Sequence, residues 1–165
     1  MDHQQLYTLI HKRYTYHDGY LLTSAGVPIG TPAQDGSTKT TIYKTGKRYN
    51  YSVHRLIFLY HFGHLPETID HINGIRTDNR IENLRAATYS ENNRNRPVSK
   101  YSTSQCKGVH YNRRNTKPWN VRIRIDGKMR SLGYYHTIEE ANVVYQAAAE
   151  KYYGEFAFHL SRLDT

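Results

Sequence analysis

The apolar positions of this chain change their period several times. Between residues 14 and 52 they alternate with polar residues and are interrupted often. "YHDGYLLTS" and "KTTIYKTGKRYNYSV" mix β-branched and aromatic residues with polar ones, punctuated by Asp18-Gly19, Gly26, Gly30, Gly36 and Gly46. That is the pattern of short strands joined by tight turns, with Thr45-Gly46 turning a hairpin. In "SVHRLIFLYHFG" the period becomes helical, since Val53, Leu56, Ile57 and Tyr60 share one face. Ser52 is placed to cap that helix, and Gly63 and Pro66 to end it.

A strand, a polar loop, a strand and a helix follow. "ETIDHI" and "NLRAAT" are the strands and "NGIRTDNRIE" is the loop. Thr88 and Glu91 have the spacing of a capping box, which opens a helix from about Tyr89 to Arg96, before Pro97. "RPVSKYSTSQ" is polar and without period, a linker. Beyond it, "KGVHYNRR", "PWNVRIRID" and "KMRSLGYYH" are three strands, the last two joined at Asp126-Gly127. Thr137 and Glu140 form a second capping box, and the helix it opens runs to about Tyr153, with Gly154 as its stop. The expected fold class is α+β. A β-rich N-terminal segment leads into a strand–strand–helix motif, and a small three-stranded antiparallel sheet packed on one helix comes after it. The expected domains are 1–96, with the motif at 52–96, a linker at 97–105 and a second domain at 106–160.

Charge narrows the partners. The net charge is +9 and the pI about 9.6, which favours a polyanion, nucleic acid before an anionic membrane. No apolar run is long enough to span a bilayer, and "MDHQQLYTLIHKR" lacks a signal-peptide core, so the cytoplasm is the expected location. A single cysteine, Cys106, excludes an internal disulfide and a multi-cysteine zinc site. Tyrosine outnumbers the other aromatics, 16 against four phenylalanines and one tryptophan. These rings can fill a small core while keeping a hydroxyl at its wet edge.

The chemistry concentrates in "DHINGIRTDNRIENLRAATYSENN". A carboxylate and an amide oxygen form a hard donor pair suited to Mg²⁺, with Mn²⁺ as a substitute, rather than to zinc. An imidazole beside the metal can take a proton from water, and an amide oxygen can accept from its other nitrogen. Asparagines ligate and orient without titrating, which leaves His71 as the titratable base. Asn73-Gly74 and Asp78-Asn79 are read as turn formers. With "HRLI" upstream, this stretch resembles an HNH endonuclease of the phage homing type, with its ββα-metal motif. The resemblance aligns His71, then Asn83 twelve residues on, then Asn92 nine further. It implies Asp70 and Asn92 as metal ligands, His71 as general base and Asn83 as the group that orients His71. His54 belongs to the same pattern but is read as a packing residue on its helix.

In "PWNVRIRID", Trp119, Val121, Ile123 and Ile125 alternate with Asn120, Arg122, Arg124 and Asp126, giving one apolar face and one bearing two arginines. Guanidinium forks match guanine edges and phosphates. Arg113 and Arg114 lie in the first loop, within reach of phosphate. "KGVHYNRR…PWNVRIRIDGK…SLGYYHTIEEANVVYQAAAEKYYGEFA" is similar to the Apetala-type DNA-binding domain of plant ethylene-response factors. That similarity places Gly108, His110, Asn112, Arg122 and Arg124 at DNA-facing positions, and Lys107 and Arg130 complete the expected set. His110 and Asn112 stand where plant members have arginine, and Arg122 where they have glutamate, so the base sequence read does not carry over.

The expected protein is therefore a Mg²⁺-dependent DNA endonuclease, of the homing kind carried by bacteriophages, positioned on double-stranded DNA by its C-terminal domain. One site per chain implies a nick by a monomer or a double-strand break by a dimer. The competing reading is a DNA-binding regulator whose nuclease site has decayed.

Overall fold

In the computed structural model, which describes residues 1–99 and 101–158, the chain divides into two compact units, Met1–Asn92 and Asn93–Thr165. Residue 100 of the expected linker, and residues 159 and 160 of the expected second domain, lie outside the described residues. No described helix is long and apolar enough to cross a membrane.

The first unit opens with a helix that the reading above did not anticipate, α1 (His3–Arg13). Asp2 caps it, its carboxylate accepting from the Gln5 amide at 2.7 Å. Leu6 and Ile10, one turn apart, are its buried residues. Two apolar anchors among mostly polar neighbours are a weak periodic signal. A hairpin of β1 (Thr15–His17) and β2 (Tyr20–Leu22) follows, turning at Asp18-Gly19. Both turn residues have positive φ, 40° and 81°, as a two-residue hairpin of the mirror type requires.

Next come β3 (Thr31–Pro32), β4 (Thr38–Lys44) and β5 (Lys47–Ser52), antiparallel in that order. Ile42 of β4 is buried, while Lys39, Thr41, Tyr43, Arg48 and Asn50 on the alternate positions are exposed. Helix α2 (Val53–Phe62) ends at Gly63 in the left-handed conformation. Its Leu56, Ile57 and Leu59 are fully buried against Leu6, Ile10 and Leu21. Burial of each such side chain contributes about 1.5–3 kcal/mol, so Leu56→Ala should cost about 2–5 kcal/mol. Strands β6 (Thr68–His71) and β7 (Leu84–Ala87) pair antiparallel, separated by a loop and a 3-10 turn at Ile81–Asn83. Helix α3 (Tyr89–Asn95) then starts at the expected capping box. The Glu91 carboxylate accepts from the Thr88 amide at 2.8 Å, and the Thr88 hydroxyl accepts from the Glu91 amide at 3.3 Å.

The second unit is the expected sheet and helix. Strands β8 (Val109–Tyr111), β9 (Trp119–Ile125) and β10 (Lys128–Tyr135) lie with β9 in the middle. Helix α4 (Ile138–Tyr153) is capped by Thr137, whose hydroxyl accepts from the Glu140 amide at 3.2 Å. Ala141, Tyr145 and Ala149 on α4 pack with Val109, Val121 and Ile123 of the sheet.

Candidate active site

The β6–β7 hairpin sorts the candidate residues by strand alternation. Asp70 stands opposite Arg85, and His71 opposite Leu84. Thr68, Asp70 and Arg85 therefore share one face, and Ile69, His71 and Leu84 the other. Asp70 and His71 are both buried, at 4% and 8% exposure.

On the first face the Arg85 guanidinium donates twice to one Asp70 carboxylate oxygen, from Nη2 at 2.6 Å and from Nε at 2.9 Å. Asn92, on α3, donates from Nδ2 to the Thr68 hydroxyl at 3.0 Å. That bond brings the Asn92 amide to the strand face that carries Asp70. With its nitrogen committed to Thr68, the amide has an oxygen to offer. A carboxylate and an amide oxygen on one face are hard donors, and the residues present fit a divalent cation of the magnesium type.

On the other face His71 donates from Nε2 to the side-chain oxygen of Asn79 at 3.0 Å. The donated proton fixes the tautomer, so the lone pair is on Nδ1. Burial lowers the His71 pKa, opposed by the Asn79 hydrogen bond and the Asp70 charge. The His54 ring packs edge-to-face against it, centroids 5.1 Å apart. Burial, and next the neighbouring His71, hold the His54 pKa down at about 4, and its buried Nδ1 has no partner among the described residues.

Asn83, expected to orient His71, does something else. Its Oδ1 accepts from the Asn73 amide at 3.0 Å, and its Nδ2 donates to Asn73 Oδ1 at 3.0 Å and to the Asp78 carbonyl at 2.8 Å. With its amide spent inside the loop, Asn83 closes residues 73–83 on themselves, and that closure delivers Asn79 to His71. Asn79 was read as a turn former because it follows Asp78 in a polar loop. Its buried side chain, 5% exposed, distinguishes it from a solvated turn residue. Asp78 and Arg80 brace the same loop with a two-point ion pair at 2.8 and 2.9 Å, which holds the Asp78 pKa at about 2. The β1–β2 turn presses on it from outside. The Tyr16 hydroxyl accepts from the Ile81 amide at 3.0 Å, and a Cβ on Gly19 would lie 2.9 Å from the Arg80 nitrogen.

The second unit carries the expected arginine face. Arg122 pairs with Ser131 and Arg124 with Met129 across β9 and β10, and both arginines are exposed, as are His110, Asn112, Arg113 and Arg114. Burial, then the Arg122 charge, lowers the His110 pKa. Three residues of the expected DNA-contact set have uses within the unit or lie off the arginine face. Lys107 donates to the carbonyls of Asn93, Arg94 and Arg96 at 3.2, 2.6 and 2.6 Å, capping the end of α3 with its charge. Gly108 is required by packing. Its φ is +69° and a Cβ there would lie 2.1 Å from the Tyr145 ring. Arg130 pairs with buried Ile123, so it projects to the helix side, away from Arg122 and Arg124. The Asn112 side chain also works locally, accepting from the Arg114 amide at 3.2 Å to shape the first loop.

Residues 51–94, the span from the end of β5 into α3, match the family model described as HNH endonuclease. This stretch is similar to the HNH endonucleases. The match holds every residue of both faces of the hairpin, and it begins early enough to take in His54. Among solved structures, the HNH homing endonuclease I-HmuI, described as binding and cleaving DNA, is 27% identical over 48% of this chain, with a TM-score of 0.40. The chain spans about half of that protein, 49% of its length. No curated protein shows significant similarity to the chain.

Proposed function

We propose that the protein is a divalent-cation-dependent DNA endonuclease of the homing type. In this reading His71 is the general base, Asp70 and Asn92 are the metal ligands, and the second unit positions the DNA. The observation that carries the reading is His71 itself: a buried imidazole within the stretch that matches the HNH model, its pKa lowered by burial and its tautomer held by Asn79.

The reaction is hydrolysis of a phosphodiester. His71 takes a proton from water on Nδ1, the water oxygen bonds to phosphorus, and the bond to the 3′ oxygen breaks, that oxygen taking up a proton from solvent water. Asn79 keeps the proton on Nε2, so the ring accepts only at Nδ1. Asp70 and Asn92 would hold a Mg²⁺ or Mn²⁺ ion, which would supply charge stabilisation at the phosphate and the leaving oxygen. Arg85 fixes the Asp70 carboxylate in direction through two charge-assisted hydrogen bonds. Arg113, Arg114, Arg122 and Arg124 contribute phosphate or base contacts, with His110 and Asn112 at the same exposed positions.

The test is plasmid relaxation by the full chain, with Mg²⁺ and with EDTA, beside His71→Ala. Cleavage should need the cation and fall ~10²–10⁴-fold in the variant while DNA binding persists. Wild-type rates from His71→Ala would remove His71 from the mechanism. Cleavage in EDTA would remove the metal.

A further inference from the structure

Asn120 is an anomaly on the arginine face. It is the second residue of β9, the central strand, between His110 on β8 and Tyr134 on β10, on the side of the sheet that α4 does not cover. Yet it is only 2% exposed. Every hydrogen-bonding part of its amide is used. Nδ2 donates to the Ser131 hydroxyl at 3.1 Å and to the Gly133 carbonyl at 3.0 Å, on either side of the register shift in β10. Oδ1 accepts from Nε of Arg122.

The consequence falls on Arg122. An exposed arginine on a strand samples many rotamers, and ordering it on a ligand costs conformational entropy. With Nε tied to a buried amide, the guanidinium plane of this exposed residue is set, and the bond through Nε leaves the terminal pair of nitrogens for a ligand. That pair is the geometry a guanine edge or a phosphate accepts at two points. Arg124 has a looser tether, one bond from Nη1 to the Gly127 carbonyl at 3.2 Å.

We infer that Asn120 is a specificity-positioning residue, which converts Arg122 from a mobile charge into an oriented fork that reads one base. This rests on the reading of the second unit as a DNA-binding module. Asn120 need not touch DNA; it acts through Arg122.

The test uses the full chain. Duplexes selected from a random pool define a preferred site, and binding to that site and to a scrambled one is measured across a salt series. Asn120→Ala should shrink the preference by roughly tenfold, the scale of one two-point base contact. Scrambled-site affinity and the salt slope should stay put, because the charge is retained. Arg122→Ala should lose the same preference and also lower the slope. An unchanged preference in Asn120→Ala, or equal weakening at both sites, overturns the inference. Ser131→Ala, which removes one of the amide's anchors, guards against misfolding and should give a smaller shift in the same direction. A wild type with no preferred site would defeat the specificity role together with the reading beneath it. The tether itself is checked without DNA: the Arg122 Nε–H resonance should be protected from exchange in wild type and lose that protection in Asn120→Ala. Equal protection in both would overturn the positioning.

Discussion

Arg85 and Asp70 face each other across the β6–β7 hairpin as a buried ion pair, 2.6 Å apart, with side chains 11% and 5% exposed. The carboxylate assigned to the metal thus already has a cation beside it. Breaking a buried pair by removing one partner costs ~3–5 kcal/mol. Arg85→Ala should therefore lower the melting temperature sharply in EDTA. Millimolar Mg²⁺ should restore much of the loss, because a bound cation supplies the missing charge. A variant whose stability ignores Mg²⁺ would argue that Asp70 does not bind the ion.

Asn79 and Asn83 make opposite predictions. Asn79→Ala removes the acceptor that fixes the His71 tautomer and should slow cleavage by ~10–100-fold, with the melting temperature little changed. Asn83→Ala opens the loop closure and leaves the Asn73 amide and the Asp78 carbonyl short of a partner, a cost of ~1–3 kcal/mol. Its loss should show first in stability. Were Asn83→Ala the catalytically damaged variant on an intact fold, the assignment of His71's partner would be reversed.

These two residues mark where sequence reading stops. The elements from α2 to α4 were legible because each carries a local signal: helical spacing around Leu56, capping boxes at Thr88 and Thr137, and a tight turn at Asp126-Gly127. Strand alternation also suffices to put Asp70 and His71 on different faces, and the Asp126-Gly127 turn to put Met129 and Ser131 beside the arginines. Which of several asparagines meets the imidazole was not legible. That choice depends on how an eleven-residue loop, 73–83, closes on itself through side-chain bonds, and spacing encodes none of it. The structural uses of Lys107 and Gly108 were illegible for a related reason. A basic residue and a glycine at the start of a basic sheet look like DNA contacts, while their uses, capping α3 and clearing space for Tyr145, involve residues distant in sequence.

Acid should unfold the N-terminal unit early. His54 and His71 both have lowered pKa values in the fold, so the unfolded chain, titrating near its ordinary value of about 6.5, binds protons that the folded chain refuses. Stability is then complete above that value and is lost as pH falls toward about 4, where His54 titrates. For His54 alone the loss is of order 3 kcal/mol. Denaturant midpoints measured between pH 7.5 and 4 should show the fall, and His54→Phe should flatten it. The same variant removes the unpartnered Nδ1 and should be more stable than wild type even at neutral pH.

The β1–β2 turn should matter to catalysis although it carries no catalytic group. At Gly19 an alanine meets both a left-handed backbone, φ +81°, and the Arg80 nitrogen at 2.9 Å. The clash is with backbone, so the segment that carries Asn79 has to move. Gly19→Ala should slow single-turnover cleavage, whereas Gly36→Ala, at φ +79° with open space around it, should cost stability alone. Equal cleavage rates in the two variants would show that the turn does not buttress the site.

The division of labour between the units can be read from salt. Residues 1–96 contain both faces of the hairpin and all of α3, so this fragment should cut duplex DNA at high enzyme and Mg²⁺. It lacks Arg113, Arg114, Arg122 and Arg124, which are exposed on the second unit. Each phosphate contact releases counterions and adds ~0.9 to the slope of log K against log salt. Up to four lost contacts, three if Arg122 reads a base, should lower the slope by roughly 3 to 4, with binding weaker and less selective. Arg122→Ala in the full chain separates the two uses of that side chain: a base reader loses affinity at the preferred site by ~1–3 kcal/mol, and a phosphate contact weakens all sites alike. If the fragment binds the preferred site as tightly as the full chain, with the same slope, the arginine face does not meet DNA and the second unit serves another partner.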